Sequence, residues 1–299
     1  MTIAIIGATG MLGQPVTHEL IAAGFAVRII ARNVRAAKSF FPNAEVVYGD
    51  LKQLGTLVAA LSGCAVTYLS LSVEQIEKPT NFHTETDGMR NLLAAAKQAS
   101  VGRIAYLSSI VMRYQGMKGF DWWVFRVKQE AVQLIRESRL DYSIFYPSTF
   151  MDTMLTAQRM GLVVLVLGTS PVQPWFIAAR DYGKQVMRAL QLEQPGEPQE
   201  YVIQGPEPVT QLAAAQRLAR QYVGSKLVVV ELPLAMLRLG RFFAQQADYG
   251  LHIAEALNGY PERFEAERTW ADLGKPVTTI EAFANYLTPN PSPTETGWG

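Results

Sequence analysis

The sequence predicts an α/β protein: a doubly wound parallel sheet, with a smaller α/β cap formed by the C-terminal half. Three observations predict it. Short apolar runs alternate with helical patterns over residues 1–150, the rhythm of a parallel sheet covered on both faces. The first run, Ile3-Ala4-Ile5-Ile6, enters a glycine turn, Gly7-Ala8-Thr9-Gly10-Met11-Leu12-Gly13, and a helix follows at once. From about Met151 the alternation loosens, as expected where a second, smaller region begins.

The elements follow in order. A helix from Met11 to about Ala23 leads to a second strand, Ala26 to Ala31. The third strand is read at Ala44 to Tyr48, the fourth at Ala65 to Leu71 and the fifth at Arg103 to Leu107. Helical patterns fill the intervals at Val34 to Phe41, Gly55 to Leu61 and Thr84 to Ser100, the last with Met89, Leu92, Leu93 and Ala96 on one face. A sixth unit pairs a helix, Trp122 to Ser138, with a strand, Tyr142 to Tyr146. In the cap, strands are read at Leu162 to Leu167 and Tyr201 to Gln204, and a helix at Gln211 to Tyr222. The predicted organisation is a core over 1–150, a cap over 151–287 interleaved with it, and a disordered tail over 288–299, where Thr288 to Gly299 holds three prolines and little apolar content.

Composition narrows the function. The chain has 299 residues, 49% of them hydrophobic, enough for a sizeable core. Its 27 basic and 26 acidic residues leave a net charge of +1, which gives no electrostatic footprint for nucleic acid or an anionic membrane. The one cysteine, Cys64, lies in an apolar stretch and is expected to be a buried thiol. No targeting segment is expected before the first strand, and the apolar run Gly161 to Leu167 is about a third of the ~20 residues a membrane span needs. A cytoplasmic location is expected. His18, His83 and His252 are far apart and have no clustered ligands, so no metal site is expected. No G-x-S-x-G elbow points to a hydrolase.

The glycine turn carries the chemistry. Gly7, Gly10 and Gly13 let the backbone turn tightly, approach a pyrophosphate and pack the next helix on the strand, while the amides near Met11 and Leu12 face the phosphates. Thr9 belongs to the same turn. This is the dinucleotide fingerprint of a Rossmann-type sheet, whose ligand lies beyond the carboxyl ends of the strands. At the end of the second strand, where a carboxylate would select NAD, the chain places Arg32 with Asn33 beside it and Arg35 close behind. A guanidinium pairs with a 2′-phosphate, so NADP is favoured over NAD. Asp50 and Leu51 after the third strand are candidates for the adenine, although Asp50 could equally cap the following helix. Ser70, Leu71 and Ser72 end the fourth strand, where small residues let the backbone approach the middle of the cofactor.

The glycine run, Arg32, Gly49-Asp50, the strand end Tyr106-Leu107-Ser108-Ser109, Lys128 and the segment Phe145-Tyr146-Pro147-Ser148-Thr149-Phe150-Met151 together resemble atypical short-chain dehydrogenases/reductases. The similarity is to the NmrA-like branch, with its triphenylmethane/quinone reductases and isoflavone-reductase-like proteins. It extends to about Leu287 through Ala179-Arg180-Asp181-Tyr182-Gly183 and Tyr201-Val202-Ile203-Gln204-Gly205. The resemblance implies an active-site lysine at Lys128, which could hold the nicotinamide ribose or act as acid/base. Ordinary members carry a tyrosine four residues before that lysine; here the position is Val124. Ser108 or Ser109 could polarise a substrate oxygen, and Tyr146 or Tyr114 could replace the missing phenol. Trp122, Phe150 and Trp175 are read either as core or as walls of a substrate cleft.

Two functions follow. One is an NADPH-dependent reductase of small conjugated acceptors such as quinones or enones, with catalytic candidates Lys128, Tyr146 and Ser108. The other, implied by the NmrA resemblance, is a non-catalytic NADP(H) sensor acting through a protein partner. A small-molecule substrate is the expected partner of the first, and homo-oligomerisation is compatible with both.

Overall fold

The computed structural model describes residues 1–192, 196–240 and 245–286. The disordered tail read at Thr288 to Gly299 lies outside the described residues. Seven strands form one parallel sheet in the order β3-β2-β1-β4-β5-β6-β9, with β1 at Thr2–Ile6, β2 at Ala26–Ala31, β3 at Glu45–Tyr48, β4 at Val66–Leu69, β5 at Arg103–Leu107, β6 at Asp141–Pro147 and β9 at Gln199–Ile203. The order reverses at β1, so its carboxyl end faces the crevice between the two halves of the sheet, where ligands of such sheets bind.

Alternation along β1 explains the layers. Ile3 and Ile5 face a core shared with Val16 and Leu20 of α1 (Gly13–Ala22) and Tyr182 and Val186 of α6 (Ala179–Gln191). Ala4 and Ile6 face the other core, under α3 (Leu54–Leu61), α4 (Asp87–Gln98) and α5 (Trp123–Glu137), with Leu57, Leu92 and Phe125. The short α2 (Val34–Phe40) follows β2. A buried hydroxyl pair, Tyr68 to Tyr182 at 3.0 Å, ties the sheet to α6.

After residue 150 the chain serves both parts of the molecule. It returns α6 and β9 to the main sheet, and adds α10 (Glu267–Leu273), which packs on them. Between these it builds a small sheet, β10-β8-β7, from β7 (Arg159–Met160), β8 (Val163–Leu167) and β10 (Val228–Leu232). Val164 and Val166 of β8 pack with Ala214 and Leu218 of α7 (Gln211–Gln221) and Phe283 of α11 (Ile280–Tyr286). The remaining helices, α8 (Leu234–Gly240) and α9 (Gln245–Gly259), pack against each other, and α9 also covers the turn 110–114 that follows β5.

An ion pair staples the cap. Arg217 of α7 donates from Nε to Glu281 Oε1 at 2.5 Å and from Nη2 to Oε2 at 2.8 Å, with Glu207 as a second partner. Hydrogen bonding to Arg217 pulls the Glu281 carboxyl from its ordinary 4.5 down to about 2. A depressed carboxyl stabilises the fold above its ordinary value and ceases to do so as pH falls through the depressed one. Glu281 is more than a third exposed, so solvent screening limits the effect to about 1 kcal/mol. Arg217→Ala is therefore expected to lower stability by about that amount at neutral pH. The gap to the parent should close between pH 4.5 and about 2 in denaturant titrations run across pH.

Candidate functional site

The turn after β1 is built as its glycines require. Gly7 adopts φ +86°, a left-handed conformation that a side chain disfavours, and the turn closes through Gly10 N donating to Gly7 O at 3.2 Å. Gln14 braces it from inside α1, its Nε2 donating to Thr9 O at 2.8 Å. The helix begins at Gly13, two residues later than the sequence suggests, because Met11 and Leu12 complete the turn. At this turn opens a cavity of about 440 Å³. Gly7, Thr9, Arg32, Asn33, Asp50, Leu51 and Leu71 line it. Gly10, Met11, Leu12, Gly13, Ser70, Ser72 and Lys128 lie outside its lining. Met11 instead meets the cap, accepting at Sδ from Thr156 Oγ1 at 3.2 Å, which brings the cap over the turn.

At the β2 end, Arg32 is exposed, and neither it nor Arg35 pairs with a carboxylate among the described residues. Asn33 is already committed in part: its Oδ1 caps α2 by accepting from Ala36 N at 3.0 Å. Asp50 does not cap α3, whose N-cap residue is Gln53. Its Oδ1 accepts from Lys52 N at 2.9 Å and tightens the turn before that helix. The cavity wall also includes residues that sequence reasoning missed, among them Phe40, Lys52, Phe82 and Thr84. Phe82 and Thr84 come from the irregular segment between β4 and α4; the sequence reads Thr84 as the start of the helix, which begins only at Asp87, and Lys52 Nζ sits 5.3 Å from the Phe82 ring.

The catalytic candidates are tied up individually. Lys128 Nζ donates to Glu85 Oε1 at 2.8 Å, and the Tyr106 hydroxyl donates to the same oxygen at 2.6 Å. Glu85 is fully buried, while Lys128 keeps a partly exposed side chain. Burial and the neighbouring Glu85 push the Tyr106 phenol far above its ordinary range. The Tyr146 hydroxyl donates to Glu200 Oε2 at 3.0 Å and accepts from Arg136 Nη2 at 3.3 Å. Its phenol too is raised by burial and then by Glu200. Ser108 is buried, with Oγ 3.5 Å from Met112 Sδ. Among the described residues no hydrogen bond joins Lys128 to Tyr146 or Ser108. Val124, on α5, packs into the core, and Tyr114 is buried against Phe120, its hydroxyl close to Gly259.

The aromatic residues divide. Trp122 is buried, stacked on His252 at 5.5 Å and edge-on to Tyr249, and Phe150 is buried against Tyr182. Trp175, half-buried beside Phe264, walls an open depression of about 600 Å³ with Pro171, Pro208 and Glu262. Burial raises the Glu262 carboxyl, which accepts from Ser148 Oγ, Gln204 Nε2 and the Trp175 amide. Cys64 is free and buried, and burial raises its thiol. No group of three metal-ligating side chains occurs among the described residues, and none of their helices is long and apolar enough to cross a membrane.

Comparison with known proteins agrees with this geometry. A family model described as NAD(P)H-binding matches residues 7–173, more than half of the chain. The photosystem II assembly factor Ycf39 of Cyanophora paradoxa is 24% identical over 262 residues, spanning 86% of this chain and 79% of that protein. Among solved structures, the triphenylmethane reductase of Citrobacter sp. complexed with NADP(H) superposes with a TM-score of 0.74 at 21% identity, covering 94% of this chain and 98% of the other. The NADPH-dependent quinone oxidoreductase QOR2 of Escherichia coli, complexed with NADPH, gives 0.73 at 21% identity over 95% and 99%.

Proposed function

The chain belongs to the NAD(P)H-binding family, with the fold of NmrA-like atypical short-chain dehydrogenases/reductases, and from that premise we propose that it is an NADPH-dependent reductase of small conjugated acceptors, quinone- or enone-like. The observation that carries the reading is the cavity at the switch point, where a glycine turn of the kind that holds a pyrophosphate opens beside an exposed Arg32 that pairs with no carboxylate among the described residues. The residues fit the cofactor in three places. Side-chain-free backbone at Gly7 can meet phosphate, Arg32 can pair with a 2′-phosphate, and Leu51 and Phe82 offer apolar surface to an adenine. When bound, the cofactor supplies a hydride.

The acceptor class follows from what the side chains have left to give. Tyr106 and Lys128 are engaged on Glu85, and Tyr146 on Glu200. Val124 has no proton to transfer. A simple ketone needs a proton delivered as hydride arrives, whereas an extended conjugated acceptor spreads the charge and takes its proton from water. Positioning then suffices. The family's relatives that reduce quinones and dyes support the same class.

The test is loss of reduced-nicotinamide absorbance when purified protein and NADPH are mixed with quinones, enones and cationic dyes. Turnover of at least one conjugated acceptor, with none of simple ketones, is the expected result. Tight NADPH binding with no oxidation of any acceptor would overturn the reductase reading in favour of an NADP(H) sensor acting through a protein partner. That second reading draws on the same engaged phenols and on the assembly-factor relatives.

A further inference from the structure

We infer that Glu85 is the positioning residue for the nicotinamide half of the cofactor, acting through Lys128. The inference rests on NAD(P)H binding and on the reading of Lys128 as the residue that holds the nicotinamide ribose. Three observations carry it. Glu85 is wholly buried, yet it is a carboxylate, and carboxylates are rarely placed in a core without a task. Its Oε1 gathers two donors from different elements, the Lys128 ammonium on α5 at 2.8 Å and the Tyr106 hydroxyl on β5 at 2.6 Å. Its Oε2 is buried with no hydrogen-bond partner.

The third observation argues against a purely structural role. A buried carboxylate with one oxygen unsatisfied costs the fold more than a well-packed apolar or amide side chain of the same size would. What the carboxylate achieves is control of one flexible lysine. A lysine has four rotatable bonds and, left in solvent, would sample many positions. Here its stem is mostly covered and its head is fixed on a group that is itself clamped by Tyr106. Glu85 also adjoins Thr84, which lines the cofactor cavity, so the same short segment touches both the cavity and the lysine. A preorganised donor loses less freedom on binding than a mobile one, so affinity for the half of the ligand it touches rises.

Glu85→Gln keeps the size and removes the charge that holds Lys128. It should raise the dissociation constant of NADPH about tenfold, since a hydrogen bond to a charged group is at stake. It should leave that of 2′,5′-ADP, which carries the adenosine half alone, within about twofold. Tyr106→Phe, which removes one clamp and preserves the charge, should weaken NADPH by a smaller factor and leave 2′,5′-ADP unchanged. Both constants are read by calorimetry on the full chain, with a thermal melt for each variant. Equal NADPH affinity in parent and Glu85→Gln overturns the inference, and so does parallel loss of NADPH and 2′,5′-ADP, which would mark a general structural role. If Glu85→Gln does not fold, Tyr106→Phe alone decides by the same criterion. The readout is binding, so a parent protein that oxidises no NADPH defeats the reductase reading without touching this one.

Discussion

Gly13→Ala is expected to destabilise the protein severely, whereas Gly10→Ala three residues earlier should leave the fold intact and abolish tight cofactor binding. A methyl group added at Gly13 would lie 1.9 Å from Gly7 O and 2.8 Å from Gly7 C. Both are backbone atoms of the turn itself, so neither can swing aside as a side chain would. Relief requires α1 to move off β1, and α1 is held in the core by Val16 and Leu20. The cost is about 3 kcal/mol or more, the upper end of overpacking penalties. For a chain of this size it appears as a fall of roughly 5 °C or more in melting temperature.

Gly10 is different. The nearest atom to a methyl group there is Gly7 O at 3.4 Å, ordinary contact, and the residue is exposed. Gly10→Ala should therefore shift stability by no more than about 0.5 kcal/mol. If the phosphates approach the turn amides as the fingerprint implies, the methyl group stands in the space that they must enter. NADPH affinity should fall by an order of magnitude or more, the price of one lost close approach. Melting curves with and without NADPH separate the two variants. If Gly10→Ala is shifted upward by NADPH as much as the parent, the turn is a structural corner and the phosphates bind elsewhere.

The contrast between these glycines also marks where sequence reading works. The strands of the main sheet were legible because their signal is local: a strand buried on both faces, such as β1 with Ile3 and Ile5 toward one core and Ala4 and Ile6 toward the other, reads as a short continuous apolar run whatever its partner strand. The glycine turn was legible for the same reason. Element ends shifted by up to three residues where turn hydrogen bonds compete with the helix, as at Met11 and Leu12 and at Thr84 to Thr86. The cavity at the end of β1 was partly legible. Arg32 and Asp50 could be placed because strand ends in such a sheet converge, but Phe82 sits on a segment with no period to place it, and Thr84 was read as helix.

What side chains do with their polar ends was not legible. Tyr146 stands at the end of β6, where a candidate phenol should be, but its hydroxyl meets Glu200 and Arg136, residues of β9 and α5. Glu85 in sequence is one carboxylate near a helix start, an ordinary place for one. Only the packing of α4 and α5 beside β5 puts it between Tyr106 and Lys128, partners 21 and 43 residues away. Such pairings are set by tertiary contact, and no spacing rule reports them.

The second large effect expected concerns the choice of cofactor. Arg32→Glu should raise the dissociation constant of NADPH about a hundredfold while changing that of NADH by less than about threefold. Two contributions add. Loss of a charge-assisted pair with the 2′-phosphate is worth about 1.5–3 kcal/mol. The new carboxylate then faces that phosphate as a like charge, worth about 1 kcal/mol near an exposed surface. The sum, roughly 3 kcal/mol, corresponds to about two decades in affinity. NADH has a hydroxyl in place of the phosphate, and a carboxylate can accept from it, so its binding should hold or improve. Salt gives an independent check. Arg32 is exposed, so the parent's preference for NADPH should shrink as ionic strength rises and the Debye length falls to a few ångströms. Arg35 stands three residues further on, in the first turn of α2, and Arg35→Ala should give a smaller loss of the same sign. Fluorescence titration of each variant with both reduced cofactors measures these constants directly. A parent that binds NADH as tightly as NADPH would remove Arg32 from the cofactor site, because an unpaired guanidinium beside a 2′-phosphate cannot be indifferent to its charge.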